Sequence, residues 1–305
     1  MRTLATDGSS TDFSDECDVL LHATGVLDKF KWPKIEGLDI FKGKLVHTAR
    51  WPEIYQADAW KSEKVVVIGS GASSIQTVPT MQPHVKQLLI FMRTPVWFVE
   101  IAGNGGKNIA YTPDKRMEFQ NDPASLVAHA KSLEDQVNSG WSMMIKSSAD
   151  QLAAQAHFRK RTAEIVKDPE IADRITPKFS VGCRRITPGD PYLNAIQQPN
   201  VKVVFGEAVK ITESSVIGKD GTKVIDVDTI VCATGFDTSF RPAFSIVGRK
   251  NVDLREMWAE RPEGYLGLTA PDMPNFFTLI GPSWPIGNGS VMGPLEAEMT
   301  ISLSS

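Results

Sequence analysis

No segment of this 305-residue chain stays apolar for the roughly 20 residues that a helix needs to cross a bilayer. Residues 1–18 are polar and acidic and lack the apolar core of a secretory leader. Cysteine is scarce. Cys17, Cys183 and Cys232 are far apart, odd in number and never in CxxC spacing, which argues against a disulfide framework and a zinc site. A reducing, cytoplasmic setting is the expectation. Basic charge is not in excess: 33 Lys and Arg against 36 Asp and Glu leave a formal net charge of -3. A nucleic-acid surface needs clustered cations, so nucleic acid is not an expected partner. Low-complexity tracts and a solenoid period are also missing.

What is present is ordinary for a globular protein, with 42% hydrophobic and 23% charged residues. The length allows a sizeable core in about two domains. Residues 1–17 read as poorly packed, and Asp18–Gly25 as a short buried strand ending at a glycine turn. Residues 26–63 read as loop, broken by Pro33, Gly37, Gly43 and Pro52. Lys64–Ile68 is a β-branched run between charge and glycine, which predicts a central parallel strand. Ala72–Met81 reads as the following helix and Gln87–Met92 as the next strand, closing a βαβ unit. Residues 99–125 look like a surface excursion, and 124 to about 168 look helical. Val201–Phe205 and Val209–Ile211 read as strands, and Asp220-Gly221 as a tight turn between two more. Thr229–Cys232 then runs into Ala233-Thr234-Gly235, repeating the strand-then-ATG order of Leu20–Gly25.

The sequence Gly69-Ser70-Gly71-Ala72-Ser73-Ser74 lies between the first strand and helix of the βαβ unit. A phosphate-binding turn needs a glycine for the bend and another for backbone approach to the pyrophosphate. The helix N-terminus then supplies partial positive charge. Gly69 and Gly71 fill the two glycine roles, and Ser74 stands where the third glycine would be. At the end of the second strand, where NAD sites usually place an acid, Arg93 stands beside Thr94, 22 positions beyond Gly71. A guanidinium holds a 2′-phosphate in a charge-assisted fork, which favours NADP.

Just before this unit comes Phe41-x-Gly43-x-x-x-His47-x-x-x-Trp51-Pro52. The motif and its placement resemble the fingerprint of the Baeyer–Villiger monooxygenases, flavoproteins that use NADPH and O2 to insert oxygen next to a ketone. The resemblance covers most of residues 18–300. It implies an α/β fold of the two-dinucleotide-binding-domain flavoprotein type: a Rossmann-like NADP domain with a helical insertion, plus an incomplete FAD domain. On that division 1–52 are partial FAD domain and linker, and 53–230 are the NADP domain with its insertion at about 99–176. Residues 231–305 return to the FAD domain. FAD and NADP are the implied cofactors. A hydrophobic ketone and O2 are the implied substrates, with an ester or lactone as product, in fungal secondary metabolism.

The family also implies roles for residues. His47 and Trp51 would organise the cofactor and the hinge between domains, with Phe41 packing and Gly43 turning. Arg93-Thr94-Pro95 is similar to the family's NADPH segment. Within Lys178–Tyr192, Arg184 and Arg185 match a basic pair whose second member is the active-site arginine. Oxygen transfer to a ketone develops negative charge, and a fixed, permanently protonated guanidinium stabilises it. Ala233-Thr234-Gly235 and Asp237 match a turn where the chain passes between nucleotide domains, with glycine allowing close approach to a cofactor. Gly281–Ser290 resembles a late loop near the flavin.

The resemblance breaks at both ends. No G-x-G-x-x-G precedes Asp18, a segment with a catalytic aspartate is missing, and the chain stops at Ser305 where relatives continue. The expectation is a truncated monooxygenase in which the Leu20 and Val231 strands expose unpaired edges. Such edges invite a partner chain or a homodimer. A catalytically silent NADP-binding remnant, or a subunit of a split flavoprotein, is the alternative. A flavin monooxygenase oxidising nitrogen or sulfur is another, although Trp51-Pro52 favours the Baeyer–Villiger branch.

Overall fold

The structure is a computed structural model describing residues 2–4, 10–99, 110–284 and 291–304. Its contacts separate a larger unit, built from Lys29–Phe236, from a smaller one built from the chain before and after it. The larger unit rests on a five-stranded parallel sheet of β1 (Lys44–His47), β2 (Lys64–Ile68), β3 (Gln87–Met92), β4 (Val201–Phe205) and β5 (Thr229–Cys232). The spatial order is β1-β5-β2-β3-β4.

Both faces of this sheet are covered, which explains the unbroken apolar runs. Val65, Val67, Leu88, Ile90 and Val231 pack with Ile75, Val78 and Met81 of α1 (Ala72–Met81) and with Tyr192 and Leu193. Val66, Ile68, Leu89, Phe91 and Ile230 turn the other way. They meet Ile211, Val216 and Val224 of an antiparallel sheet formed by Ala208–Ile211, Val216–Gly218 and Lys223–Val224. Gly221 makes that sheet's tight turn at φ 83°.

The helical insertion holds α2 (Pro113–Asn121), α3 (Pro123–Asn138), α4 (Ala149–Ile165) and α5 (Pro169–Ile175), and is followed by α6 (Asp190–Ala195). Each start in the insertion has a side-chain cap. Thr112, Asp122, Ser148 and Asp168 accept from backbone N–H groups one turn in, and three of these caps precede a proline at the first helical position.

Two expectations need correction. The Val231 strand is no exposed edge: β5 lies between β1 and β2, paired Cys232↔His47 and Cys232↔Ile68, and all four of its residues are buried. Its neighbour β1 hides in a segment that reads as loop, because the strand is only four residues long, half of them polar, and directly follows the breaker Gly43. The Leu20 strand, in turn, is not buried. In the smaller unit Leu20–His22 pairs in parallel with Phe276–Thr278 and, among the described residues, with no other strand, and Leu20 and Leu21 are exposed. The small core there gathers Leu254, Trp258, Met273 and Phe276. Within residues 1–17, Arg2–Leu4 pairs antiparallel with Ser10–Asp12, and residues 11–17 are exposed.

The N-terminal edge of the parallel sheet is tied by one carboxylate. Glu63 Oε1 accepts from Lys44 Nζ at 2.9 Å. Its Oε2 accepts from the Tyr55 hydroxyl at 2.6 Å and the Thr229 hydroxyl at 2.8 Å. Burial opposes the charge, but these three donors outweigh it and hold the Glu63 pKa below its ordinary 4.5. Glu63→Gln keeps the shape and removes the charge, and is expected to cost about 2 kcal/mol in urea unfolding. A lowered carboxylate stabilises the fold above its unfolded pKa and less as pH falls through the folded one. The gap between wild type and Glu63→Gln therefore shrinks below about pH 4.5, and a gap that stays constant down to pH 3 would contradict this account.

Candidate dinucleotide site

At the end of β2 the backbone enters a conformation that only glycine adopts easily, with Gly69 at φ 117°. A Cβ built there would stand 2.4 Å from the Ala233 carbonyl oxygen, so β2 and β5 leave the sheet in direct backbone contact. This is the switch point of the sheet. From β2 the chain runs through α1 to β3 and then β4 on one flank, while β5 lies on the other. Ligands of open α/β sheets bind in the crevice outside such a point.

Gly71 precedes α1 and carries no side-chain cap. Nothing stands within 4 Å of where its Cβ would be. The start of α1, uncapped by any side chain, thus opens beside Gly71 with the partial positive charge of a helix N-terminus. Ser70 is buried and donates its hydroxyl to the Thr94 carbonyl at 2.7 Å, joining the turn to the end of β3. Ala72 is exposed and Ser73 half-buried. Ser74 is fully buried, its hydroxyl beside that of Tyr192 on α6. It presents no surface to a ligand and serves helix packing, the purpose of the third glycine in the usual pattern.

Arg93 stands at the end of β3, its side chain 71% exposed, with a loose 3.5 Å ion pair to Glu207. It borders a cleft of about 430 Å³ lined also by Thr94, Arg174, Lys178, Phe179 and Phe205. The Arg174 guanidinium lies 4.2 Å from the Phe205 ring centroid. Arg184 approaches the ring of Phe179, a cleft residue, at 5.8 Å, although neither it nor Arg185 lines the cleft itself. Arg185 is exposed and makes no ion pair with a described residue.

His47 ends β1 and is 1% exposed. Its Nδ1 accepts from the Ala49 N–H at 3.1 Å, which leaves the proton on Nε2. Nε2 lies 3.3 Å from the Thr234 hydroxyl, and that hydroxyl donates to the Lys31 carbonyl at 3.2 Å. The Phe30 ring stacks on the imidazole at 4.5 Å. Burial lowers the His47 pKa, with the Lys31 backbone pulling the other way, so the ring is neutral at pH 7. Gly235 completes the turn at φ 82°, and the Asp237 carboxylate accepts from the Ser239 N–H at 3.0 Å.

The rest of the fingerprint is packing. A Cβ on Gly43 would meet the Asp228 carbonyl at 2.4 Å and the Phe41 ring at 2.6 Å. Trp51 stacks on Tyr55 at 5.6 Å and donates its indole N–H to the Tyr55 carbonyl at 2.6 Å. Since Tyr55 is bonded to Glu63, Trp51 belongs to the cluster at the opposite edge of the sheet from the glycine turn.

Comparison with known proteins agrees with this geometry. Residues 6–250 match the family described as flavin-binding monooxygenase-like. The chain belongs to the flavin-binding monooxygenase-like family. It is 54% identical over 288 residues to the FAD-binding monooxygenase moxY of Dothistroma septosporum, covering 94% of this chain and 46% of that protein. It is 34% identical to a Baeyer-Villiger monooxygenase of Streptomyces coelicolor, covering 92% and 53%. Among solved structures, the OTEMO complex with FAD and NADP matches with a TM-score of 0.80 at 26% identity, covering 94% of this chain and 60% of that one. The chain spans about half the length of the curated relatives it matches.

Within this family member, the turn, Arg93-Thr94, the Ala233–Gly235 turn and His47 all gather at the C-terminal edge of one sheet. Arg174 and Lys178 are the cleft residues that sequence reasoning missed. They lie more than 80 positions beyond Arg93, Lys178 opening the segment of the basic pair and Arg174 ending a helix of the insertion, and neither local pattern points to the cleft. The described residues fit a nicotinamide dinucleotide. For FAD the case differs: the described part of the smaller unit has no strand running through a glycine turn into a helix. The Pro285–Ser290 part of the late loop lies outside the described residues.

Gly69→Ala places a methyl group against the Ala233 carbonyl at positive φ, and is expected to cost about 3 kcal/mol or more in urea unfolding. Wild-type stability would show that position to be slack. His47 contributes a pH dependence of definite sign. Because its folded pKa lies below 6.5, the unfolded chain takes up the proton first, and stability falls as pH drops below 6.5. His47→Gln should lose this part of the slope between pH 7 and 5.5, read from urea midpoints.

Proposed function

We propose that this chain forms the NADP-binding part of an FAD- and NADPH-dependent monooxygenase of Baeyer–Villiger type. The reaction inserts one oxygen atom of O2 beside a ketone carbonyl and yields an ester or lactone, with a hydrophobic ketone as substrate. A place in secondary metabolism fits the relatives. The observation that carries the reading is the open, uncapped turn at Gly71, set at the switch point of the sheet and joined through Ser70 to Thr94, which lines the cleft next to Arg93.

NADP supplies a transferable hydride when bound. The residues have distinct work. The Gly69–Ala72 backbone receives the pyrophosphate. Arg93 and Thr94, with Arg174 and Lys178 opposite, take the 2′-phosphate, and Phe179 and Phe205 give the cleft apolar walls. Arg184 and Arg185 add positive charge at its margin, and Arg185 is assigned to the negative charge that develops in oxygen transfer. His47, held neutral, positions the Ala233–Gly235 turn and is not a proton donor.

A second reading is favoured by the smaller unit. The exposed Leu20–Leu21 strand, and the lack of a phosphate turn among the unit's described residues, fit a nucleotide-binding chain that is silent alone and completed by a partner chain or a second copy. A visible spectrum separates the two. Purified chain that takes up FAD, turns yellow and consumes O2 with NADPH supports the enzyme. Colourless chain that still binds NADPH supports the silent one. In either case Arg93→Ala should weaken NADPH by roughly 10- to 100-fold and NADH hardly at all, from loss of a charge-assisted bond. Equal losses for both nucleotides, measured by fluorescence titration, would remove the phosphate-reading role.

A further inference from the structure

The loop from Phe179 to Gly189 carries Arg184 and Arg185 and holds few bonds of its own. Cys183 N–H donates to the Ser180 carbonyl at 3.2 Å, Gly182 sits at φ 85°, and both arginines are exposed. A loop of this length spreads over many conformations unless tied from outside. Four ties reach it. The Trp97 indole donates to the Phe179 carbonyl at 2.9 Å, and Thr187 bonds the backbone of Trp97 and Val99 at 3.2 and 3.1 Å. The other two come from a single helix of the insertion, α4.

Gln151 of α4 is 1% exposed. Its Oε1 accepts from the Val181 N–H at 2.8 Å, and its Nε2 donates to the Val181 carbonyl at 2.9 Å. A carboxamide is the side-chain group that matches a peptide group in this way, donor to acceptor and acceptor to donor. Gln151 thus pairs with the loop as another strand would. Ten residues and about 15 Å further along the helix, Arg161 Nη2 lies 2.6 Å from both carboxylate oxygens of Asp190, immediately after the loop. The two side chains are 10% and 18% exposed. One rigid rod grips the arginine loop at both ends.

We propose that Gln151 and Arg161 are positioning residues that hold the Arg184–Arg185 loop at the dinucleotide cleft, so that the insertion sets where the arginines stand. This rests on the reading of the cleft as an NADP site. The test uses the full chain and two independent readouts. Limited trypsin digestion with mass spectrometry follows cleavage after Arg184 and Arg185, with and without NADP+. Fluorescence titration follows NADP+ affinity. Gln151→Met, Gln151→Glu and Arg161→Lys are compared with Lys160→Ala, an exposed position on the same helix. The expectation is cleavage at this loop roughly tenfold faster in the three loop variants, weaker NADP+ binding and lost protection by NADP+. Cleavage at other sites should stay as in wild type. Lys160→Ala should match wild type throughout. Unchanged cleavage at the loop in all three variants overturns the clamp, as does cleavage accelerated equally at every site, which marks general loosening. Unmodified chain that binds no NADP+ overturns the dinucleotide reading instead, and the cleavage ratio alone then decides the clamp.

Discussion

The contact on which the site depends is backbone against backbone. Where β2 ends, the Gly69 Cα faces the Ala233 carbonyl with no room for a methyl group between them. That approach lets β5 lie beside β2 in register to its last residue, Cys232↔Ile68. It also sends the two chains apart in opposite directions, and the crevice between them is the opening into which α1 points its free N–H groups. A residue with a side chain at this position would push β5 away, spoil the pairing and close the crevice. Fold and phosphate turn therefore share one requirement.

The fingerprint motif is a packing code. Phe41 covers the turn at Gly43, His47 joins β1 to the Ala233–Gly235 turn and to the chain at Lys31, and Trp51 seals the aromatic cluster around Tyr55. Its three contacts sit at both edges of the sheet, which accounts for a spacing that spans a whole strand. The imidazole is chosen because it accepts with one nitrogen and donates with the other while staying uncharged in a buried place. An amide of similar size lacks the flat ring that stacks on Phe30. Proton chemistry is not required of it.

The insertion has a comparable double use. Its outer face shows Leu126, Val127, Trp141 and Leu152 to the surface, while its inner face delivers Gln151 and Arg161 to the arginine loop and Arg174 to the cleft. The nucleotide domain supplies the backbone turn and Arg93, and the insertion supplies Arg174 and the mounting of the arginine loop. Charge gathers there although the chain as a whole is slightly acidic, because Arg93 and the segment holding Arg174 and Lys178, more than 80 positions apart, meet at the cleft.

Local patterns were enough for much of this. The β-branched run before Gly69, the two glycines and the helix after them are short-range features, governed by backbone sterics and burial on both sheet faces. So is Arg93, which follows directly from the end of a strand. Contacts between distant segments were not legible. The four residues of β1 carry no signal until β5 pairs with them, and the Val231 strand looked like an edge for the same reason. Arg174 and Lys178 reach the cleft, and Gln151 reaches Val181, only because the chain folds back across the insertion. The amino-acid sequence by itself determined the turn, its helix and the dinucleotide chemistry, since those depend on neighbours a few residues away. Tertiary structure alone decided which strands flank β5 and which distant cations line the cleft beside Arg93, since those depend on loop closures that no local spacing encodes.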